Sequence, residues 1–340
     1  MDANDALKLY DLELFELGER ASEIRRKLHG DKVFYNRNRQ INPTNICSDY
    51  CKFCGFSAHR KNPNPYVMGV EEIARTAKEA ADRGAKEIHI VSAHNKDVGL
   101  EWYFEVFSNV KAALPDIHLK AMTAAEVEFL ARTYGKSFEY ILDRMIESGV
   151  DSMPGGGAEI FDETLRKRLC DGKVKSADWL KIHKLWHERG RKSNATMLFG
   201  HIESRAHRID HLLRLRDLQE ITGGFNAFVP LLFQTKNNYI EIDRPLDAEE
   251  VLKTIAISRI VLANIPHIKA YWVGLTLKLA LVAQEFGADD MDGTIEKESI
   301  NSAAGAASAG GVAQKLMTDL IAGAGFLPIE RDSVYNEIAA

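Results

Sequence analysis

Eight short strand-like runs, the first seven each followed by a stretch with helical spacing, constrain this chain more than any other feature. The first run ends at Ile41-Asn42-Pro43-Thr44-Asn45. The others are Glu87-Ile88-His89-Ile90-Val91, Ile117-His118-Leu119-Lys120, Asp151-Ser152-Met153, Asn194-Ala195-Thr196-Met197-Leu198, Asn226-Ala227-Phe228-Val229, Ile268-Lys269-Ala270-Tyr271 and Asp289-Asp290-Met291. Between runs, apolar residues recur three and four positions apart, as at Val70, Ile73, Ala74, Ala77 and Ala81. That period gives a helix one buried face. Helices are also expected over 102–113, 124–134, 138–148, 177–189, 206–220, 247–263 and 275–286. Gly84 suits a C-terminal cap, Ser176 an N-cap and Asp247-Ala248-Glu249-Glu250 a capping box.

Strands alternating with helices predict parallel βαβ units. Eight of them predict an α/β fold of the (β/α)8 TIM-barrel type, because closing the sheet removes its unpaired edges. A partly open barrel satisfies the same rhythm, and 340 residues fit either form. The segment from Asp5 to Leu28 carries Leu7, Tyr10, Leu14, Leu17, Ala21, Ile24 and Leu28 at helical spacing, which reads as one or two amphipathic helices, with Gly18 the least surprising place for a break. The expected organisation is an N-terminal helical cap over 1–36, the barrel over 37–300 and a C-terminal extension over 301–340 packed on the barrel. The Ala/Gly/Ser-rich stretch from Ser302 to Gly311 reads as a flexible or tightly packed turn region.

Charge and hydropathy exclude several partners. The net charge is -5 and no basic run stands out, so nucleic acid is not expected as a ligand. No run approaches 18 apolar residues, so no membrane span is expected, and the acidic start Met1-Asp2-Ala3-Asn4-Asp5 lacks the order of a signal peptide. A cytoplasmic location is expected.

Three of the four cysteines fall within eight residues, in Cys47-Ser48-Asp49-Tyr50-Cys51-Lys52-Phe53-Cys54. In a reducing compartment such clustering points to metal or catalysis rather than disulfides. A structural zinc site would need a fourth ligand, which His59 could supply. Three thiolates serve a four-iron cluster differently: one iron is left open, and an open metal position is a catalytic arrangement. The loop follows the first expected strand, so in a barrel it lies at the mouth where active sites sit. Cys170 lies far off in sequence and reads as a buried structural thiol.

This CxxxCxxC spacing after a first barrel strand resembles the radical S-adenosylmethionine (SAM) superfamily. The resemblance implies a [4Fe–4S] cluster on Cys47, Cys51 and Cys54, with SAM chelated at the open iron and cleaved to a 5′-deoxyadenosyl radical. It maps an adenine contact onto Phe53, and an adenine-packing role onto Met197 or Leu198 in Met197-Leu198-Phe199-Gly200-His201-Ile202-Glu203. Glu203 reads equally as a carboxylate favoured by a helix N-terminus. Where the superfamily carries a Gly-Gly-Glu-like turn this chain has Ser92-Ala93-His94-Asn95, a departure that leaves Ser92 as the SAM-contacting position.

Longer stretches narrow the likeness. Ile117-His118-Leu119-Lys120-Ala121-Met122-Thr123-Ala124-Ala125-Glu126, Pro154-Gly155-Gly156-Gly157-Ala158-Glu159-Ile160-Phe161 and the ending Leu327-Pro328-Ile329-Glu330-Arg331-Asp332-Ser333 resemble the aminofutalosine synthase family of the futalosine route to menaquinone. That family implies addition of the deoxyadenosyl radical to the enolpyruvyl C=C of 3-[(1-carboxyvinyl)oxy]benzoate, then rearrangement and decarboxylation. The implied partners are this aromatic dicarboxylate and a one-electron reductant such as flavodoxin or ferredoxin. Lys120 and His201 are the expected substrate-side residues, Glu159 a further SAM contact, and Gly155-Gly156-Gly157 a place for close backbone approach. Cyclic dehypoxanthinylfutalosine synthase and deazaflavin FO synthase share several of these segments and act by hydrogen abstraction. A non-enzymatic zinc or iron–sulfur protein is the remote alternative.

Overall fold

The computed structural model describes residues 1–58, 63–295, 299–306 and 311–338. Its strands are β1 (Lys32–Asn36), β2 (Asn38–Ile41), β3 (Glu87–Ile90), β4 (His118–Ala121), β5 (Ser152–Met153), β6 (Lys192–Phe199), β7 (Phe225–Leu232), β8 (His267–Ile268), β9 (Asp290–Gly293) and β10 (Leu327–Glu330). Strands β2 to β8 form one seven-stranded sheet in sequence order, every neighbour parallel. Side chains from β2, β3, β4, β6, β7 and the segment after β8 line one cavity, so this sheet curls around it.

The curl does not close. The expected eighth strand exists as β9, but it pairs with β1 rather than β2, in a separate sheet ordered β10-β1-β9. A parallel bridge from Lys269 to Asp290 and the bond from Ala270 N–H to the Asp290 carbonyl (2.8 Å) join the two sheets on the β8 side. On the other side only Arg37 separates β1 from β2. The architecture is thus a partial barrel of seven strands flanked by a three-stranded sheet. The sequence reading had no strand at β1 or β10. The latter holds Pro328 and is an edge strand, the position that tolerates proline.

Helices follow the apolar spacing closely. Leu100–Ala113, Ala124–Tyr134, Phe138–Glu147, Arg205–Thr222 and Ala248–Val261 match expectation to within two residues at most ends. Asp247 caps the last of these by accepting from Glu250 N–H at 2.9 Å. Ser176 is the first helical residue rather than the cap, and its hydroxyl accepts from Arg214 at 2.9 Å. Gly18 does not break its helix: Leu14–His29 is continuous, and a Cβ at Gly18 would lie 2.7 Å from the Phe286 ring. This glycine permits close packing, not a bend. The expected helix over 275–286 is instead three short pieces, interrupted where Thr276 adopts φ +79. Helices not expected from the pattern include Glu163–Cys170 and Gln314–Gly323, with a short one at Ile300–Ala303.

Strand side chains alternate as the two-residue period requires. Ile88, Ile90, Leu119, Ala121, Ala195, Met197 and Phe199 turn away from the cavity and are buried. His89, Lys120, Thr196 and Leu198 turn into it. Burial of each large apolar side chain contributes roughly 1.5–3 kcal/mol, so the outer layer holds the strands while the inner layer is free to be polar. The C-terminal segment is tied in by buried Arg331, whose Nε donates to Asp290 Oδ2 at 2.6 Å. Among the described residues no helix is long and apolar enough to cross a membrane.

Candidate active site

The cavity inside the curled sheet has a volume of about 310 Å³, enough for a small organic molecule. Cys47, Cys51 and Cys54 line its mouth and are free thiols. Their loop follows β2 and is held by main-chain bonds to three other segments. Ser48 N–H donates to the His94 carbonyl (2.8 Å), Lys52 N–H to the Leu169 carbonyl (2.8 Å), and Tyr239 N–H to the Lys52 carbonyl (2.7 Å). A Cys51–Cys54 turn (3.1 Å) and the bond from Ser57 N–H to Cys54 Sγ (3.4 Å) shape the second half. Lining a cavity with three thiols is a soft donor set suited to an iron–sulfur cluster.

The alternative of a single zinc ion fits less well. Among the described residues the group whose ligand atoms all lie within 4.8 Å is His29, His267 and Asp289, not the cysteines. Tetrahedral zinc at a Zn–S bond of about 2.3 Å would draw its sulfurs to about 3.8 Å. His59, the candidate fourth ligand, lies outside the described residues. Burial pushes the Cys51 thiol well above its ordinary range, against the pull of the Lys173 ammonium. Burial likewise raises Cys47. These thiols hold their protons until a metal displaces them.

Beside the cysteines lies an ion pair that the sequence reading missed. Lys173 Nζ stands 2.8 Å from Glu159 Oε1 and 5.5 Å from the centre of the Phe53 ring. Glu159, an expected SAM contact, has φ +44, a strained conformation for a residue with a side chain. Phe53 is half-buried and lines the cavity. Ser92 also lines it. Its N–H donates to Glu126 Oε1 (2.9 Å), and Glu126 also takes the Thr123 N–H (2.7 Å) and hydroxyl (2.9 Å). One buried capping box therefore shapes both the turn after β3 and the helix after β4. The signal was present in sequence as Thr123-x-x-Glu126.

The remaining expected residues divide. Leu198 faces the cavity, whereas Met197, one position earlier on β6, is buried on the opposite face. The strand period assigns any adenine packing here to Leu198. His201 is not among the lining residues. Its Nε2 lies 3.0 Å from the Leu198 carbonyl and its Nδ1 accepts from Ile202 N–H at 2.7 Å, which fixes the turn after β6. Burial lowers its pKa. Glu203 receives Gly200 N–H (2.7 Å), His201 N–H (2.8 Å) and Arg208 Nε (2.7 Å), so it organises that turn too.

Lys120 does line the cavity, but its Nζ is 2.6 Å from Glu87 Oε2 and both side chains are buried. Burial opposes ionisation of Glu87, yet the Lys120 ammonium holds its carboxyl well below the usual range. A second cavity pair, Lys269 with Asp292 at 2.6 Å, stands on the β8–β9 side, with Asp292 at φ +67. Gly155 passes so close to β6 that a Cβ would lie 2.8 Å from the Asn194 carbonyl oxygen, and Gly157 has φ +93. These two glycines are required by contact and by backbone angle. Cys170 is buried and does not line the cavity.

The comparisons agree with this geometry. Residues 41–215 match the family described as the Radical SAM superfamily, and 222–339 match the CofH/MqnC C-terminal region. Aminodeoxyfutalosine synthase of Streptomyces coelicolor is 38% identical over 98% of this chain and 89% of its own length. The enzyme of that name from Thermus thermophilus is 37% identical over 98% of this chain and 91% of its own. A 5-amino-6-(D-ribitylamino)uracil–L-tyrosine 4-hydroxyphenyl transferase of Methanopyrus kandleri is 36% identical over 96% of this chain and 90% of its own. In fold, methylornithine synthase superposes with a TM-score of 0.78 at 17% identity, covering 96% of this chain and 94% of that one. A barrel that stops at seven strands, with thiols at its mouth, thus has full-length relatives, and the chain belongs to the radical SAM superfamily as a CofH/MqnC-type enzyme.

Proposed function

We propose that this chain is an aminodeoxyfutalosine-forming transferase of menaquinone biosynthesis. It would join the 5′-deoxyadenosyl group of SAM to the enolpyruvyl carbon of 3-[(1-carboxyvinyl)oxy]benzoate. The observation that carries the reading is the likeness, over 98% of the chain, to two enzymes of that name. A [4Fe–4S] cluster on Cys47, Cys51 and Cys54, when bound and reduced by a one-electron carrier such as flavodoxin or ferredoxin, would supply the electron that breaks the C5′–S bond of SAM.

The chain's own groups do the positioning. Phe53 and Leu198 offer apolar faces for adenine at the mouth. The Lys173 ammonium beside Glu159 suits the amino-acid end of SAM, where carboxylate and ammonium need opposite partners. Val229, Leu231 and Phe233 give an apolar wall for the benzoate ring. Holding the alkene against C5′ and keeping water and hydrogen donors away favours addition over quenching. The aryl group would then move from oxygen to carbon as its C–O bond breaks, and the enolpyruvyl carboxylate would leave as CO₂ or bicarbonate, releasing one electron that balances the one used to cleave SAM. The net products are 6-amino-6-deoxyfutalosine, methionine and CO₂ or bicarbonate.

A second reading comes from the tyrosine 4-hydroxyphenyl transferase at 36% identity, which has a different substrate pair in its name. Anaerobic incubation with SAM and reductant separates them. One sample receives the enolpyruvyl benzoate and the other L-tyrosine with 5-amino-6-(D-ribitylamino)uracil, both read by mass spectrometry. Consumption of the benzoate alone supports the proposal; consumption of tyrosine alone replaces it with the second reading.

A further inference from the structure

Every lysine among the described residues that line the cavity is paired: Lys120 with Glu87, Lys173 with Glu159 and Lys269 with Asp292. No arginine is among the described lining residues. A carboxylate entering the deep part of the cavity therefore meets no spare cation among the described residues. It does meet His89, whose Nε2 is shielded from solvent and has no hydrogen-bond partner in the structure. His89 stands on β3 in register with Gln40 of β2 on one side and Lys120 of β4 on the other. All three side chains point into the cavity.

A buried polar atom left unpartnered costs free energy, and native proteins rarely leave one without a use. Burial also lowers the His89 pKa to about 4, with Glu87 and Asp292 raising it and Lys120 and Lys269 lowering it. The imidazole is accordingly neutral near pH 7. A neutral imidazole has one N–H, and with the proton on Nε2 it can donate to an anion without bringing another charge into a crowded interior.

We infer that His89 Nε2 is the group that binds the ring carboxylate of the aromatic substrate at the deep end of the cavity. This rests on the proposed substrate. The alkene must meet C5′ near the cysteine mouth, and the ring carboxylate lies at the opposite end of the molecule. His89 lies within β3, three residues before Ser92, and so sits deeper along the strand than the turn that meets the thiol mouth. The substrate then spans from the thiol mouth to His89, and its ring carboxylate is the feature that this residue selects.

The test uses the full chain with its cluster loaded. Wild type, His89→Leu and His89→Gln are titrated with 3-[(1-carboxyvinyl)oxy]benzoate and with 2-phenoxyacrylate, which lacks the ring carboxylate; KM and kcat are then measured. The expected result is that His89→Leu raises KM and Kd for the benzoate at least about tenfold, the loss of one charge-assisted hydrogen bond. Binding of 2-phenoxyacrylate and of SAM should stay within about twofold, and His89→Gln, which keeps an N–H donor, should recover most of the loss. His89→Phe, close in volume, gives the same comparison should His89→Leu not load its cluster. Equal effects on both acids, or none, overturn the inference while leaving the proposed reaction intact. A wild type that binds neither acid overturns the proposed substrate and this inference with it.

Discussion

At the residue scale, the cysteines and the buried ion pairs carry the sharpest expectations. Cys47→Ala, Cys51→Ala and Cys54→Ala should each lose cluster iron and SAM cleavage, while Cys170→Ala, which alters a thiol outside the cavity, should keep both. Iron analysis and 5′-deoxyadenosine or adduct assays on the four variants check this. Lys120 needs a different test from a plain substrate titration. Removing its ammonium leaves the Glu87 carboxylate buried and uncompensated, so Lys120→Met should cost on the order of 3–5 kcal/mol of stability. Glu87→Gln combined with Lys120→Met should recover much of that in chemical denaturation. If Lys120→Met proves as stable as wild type, the pair is not the structural unit its 2.6 Å contact indicates.

At the scale of elements, the loop after β2, the capping box and the glycines decide whether the site forms. Gly155→Ala would press a methyl group against the β6 main chain, where no flexible side chain can yield. Lower thermal stability together with weaker substrate binding is expected, since β5 and β6 would part; an unchanged melting temperature would contradict the contact. Most of these elements were legible in sequence, because amphipathic helices and buried strands carry strong period signals. Met197 and Leu198 show where legibility ended. Both are apolar, and only the strand's pleat, once its register is known, sends one to the cavity and the other to the core. His201 looked like a strand-end ligand but bonds its own turn, a choice made by local hydrogen-bond geometry. The Lys173–Glu159 pair is not legible in sequence because the two residues stand fourteen apart, on either side of the helix Glu163–Cys170, and meet only once that helix is placed. β1 and β10 are not legible because they are distant in sequence from each other, and each finds its partner only once the fold brings them side by side.

At the scale of the whole molecule, the three-stranded sheet closes the flank of the partial barrel through a buried charge network. Asp290 is buried, yet Arg331 and Lys269 hold its pKa down to about 2. A carboxyl depressed from its ordinary value near 4 stabilises the fold above that value, and the contribution is lost as pH falls from about 4 to 2. Acid unfolding followed by circular dichroism should therefore show a loss over that window that is smaller in an Asp290→Asn, Arg331→Met double variant. An identical acid limb in both proteins would remove this pair as its source.

The molecule as a whole also places three thiols, the apolar side chains of Phe53 and Leu198 and the wall of Val229, Leu231 and Phe233 along one cavity. The most direct measurement supplies SAM with heavy carbon throughout its adenosine and the enolpyruvyl benzoate at natural abundance, under reductant and without oxygen. The account predicts a futalosine-like product shifted by the full adenosine label, methionine in equal amount and little free 5′-deoxyadenosine. Release of all the label as free 5′-deoxyadenosine, with the benzoate merely oxidised or cyclised, would contradict it and make this chain a hydrogen-abstracting member of its superfamily.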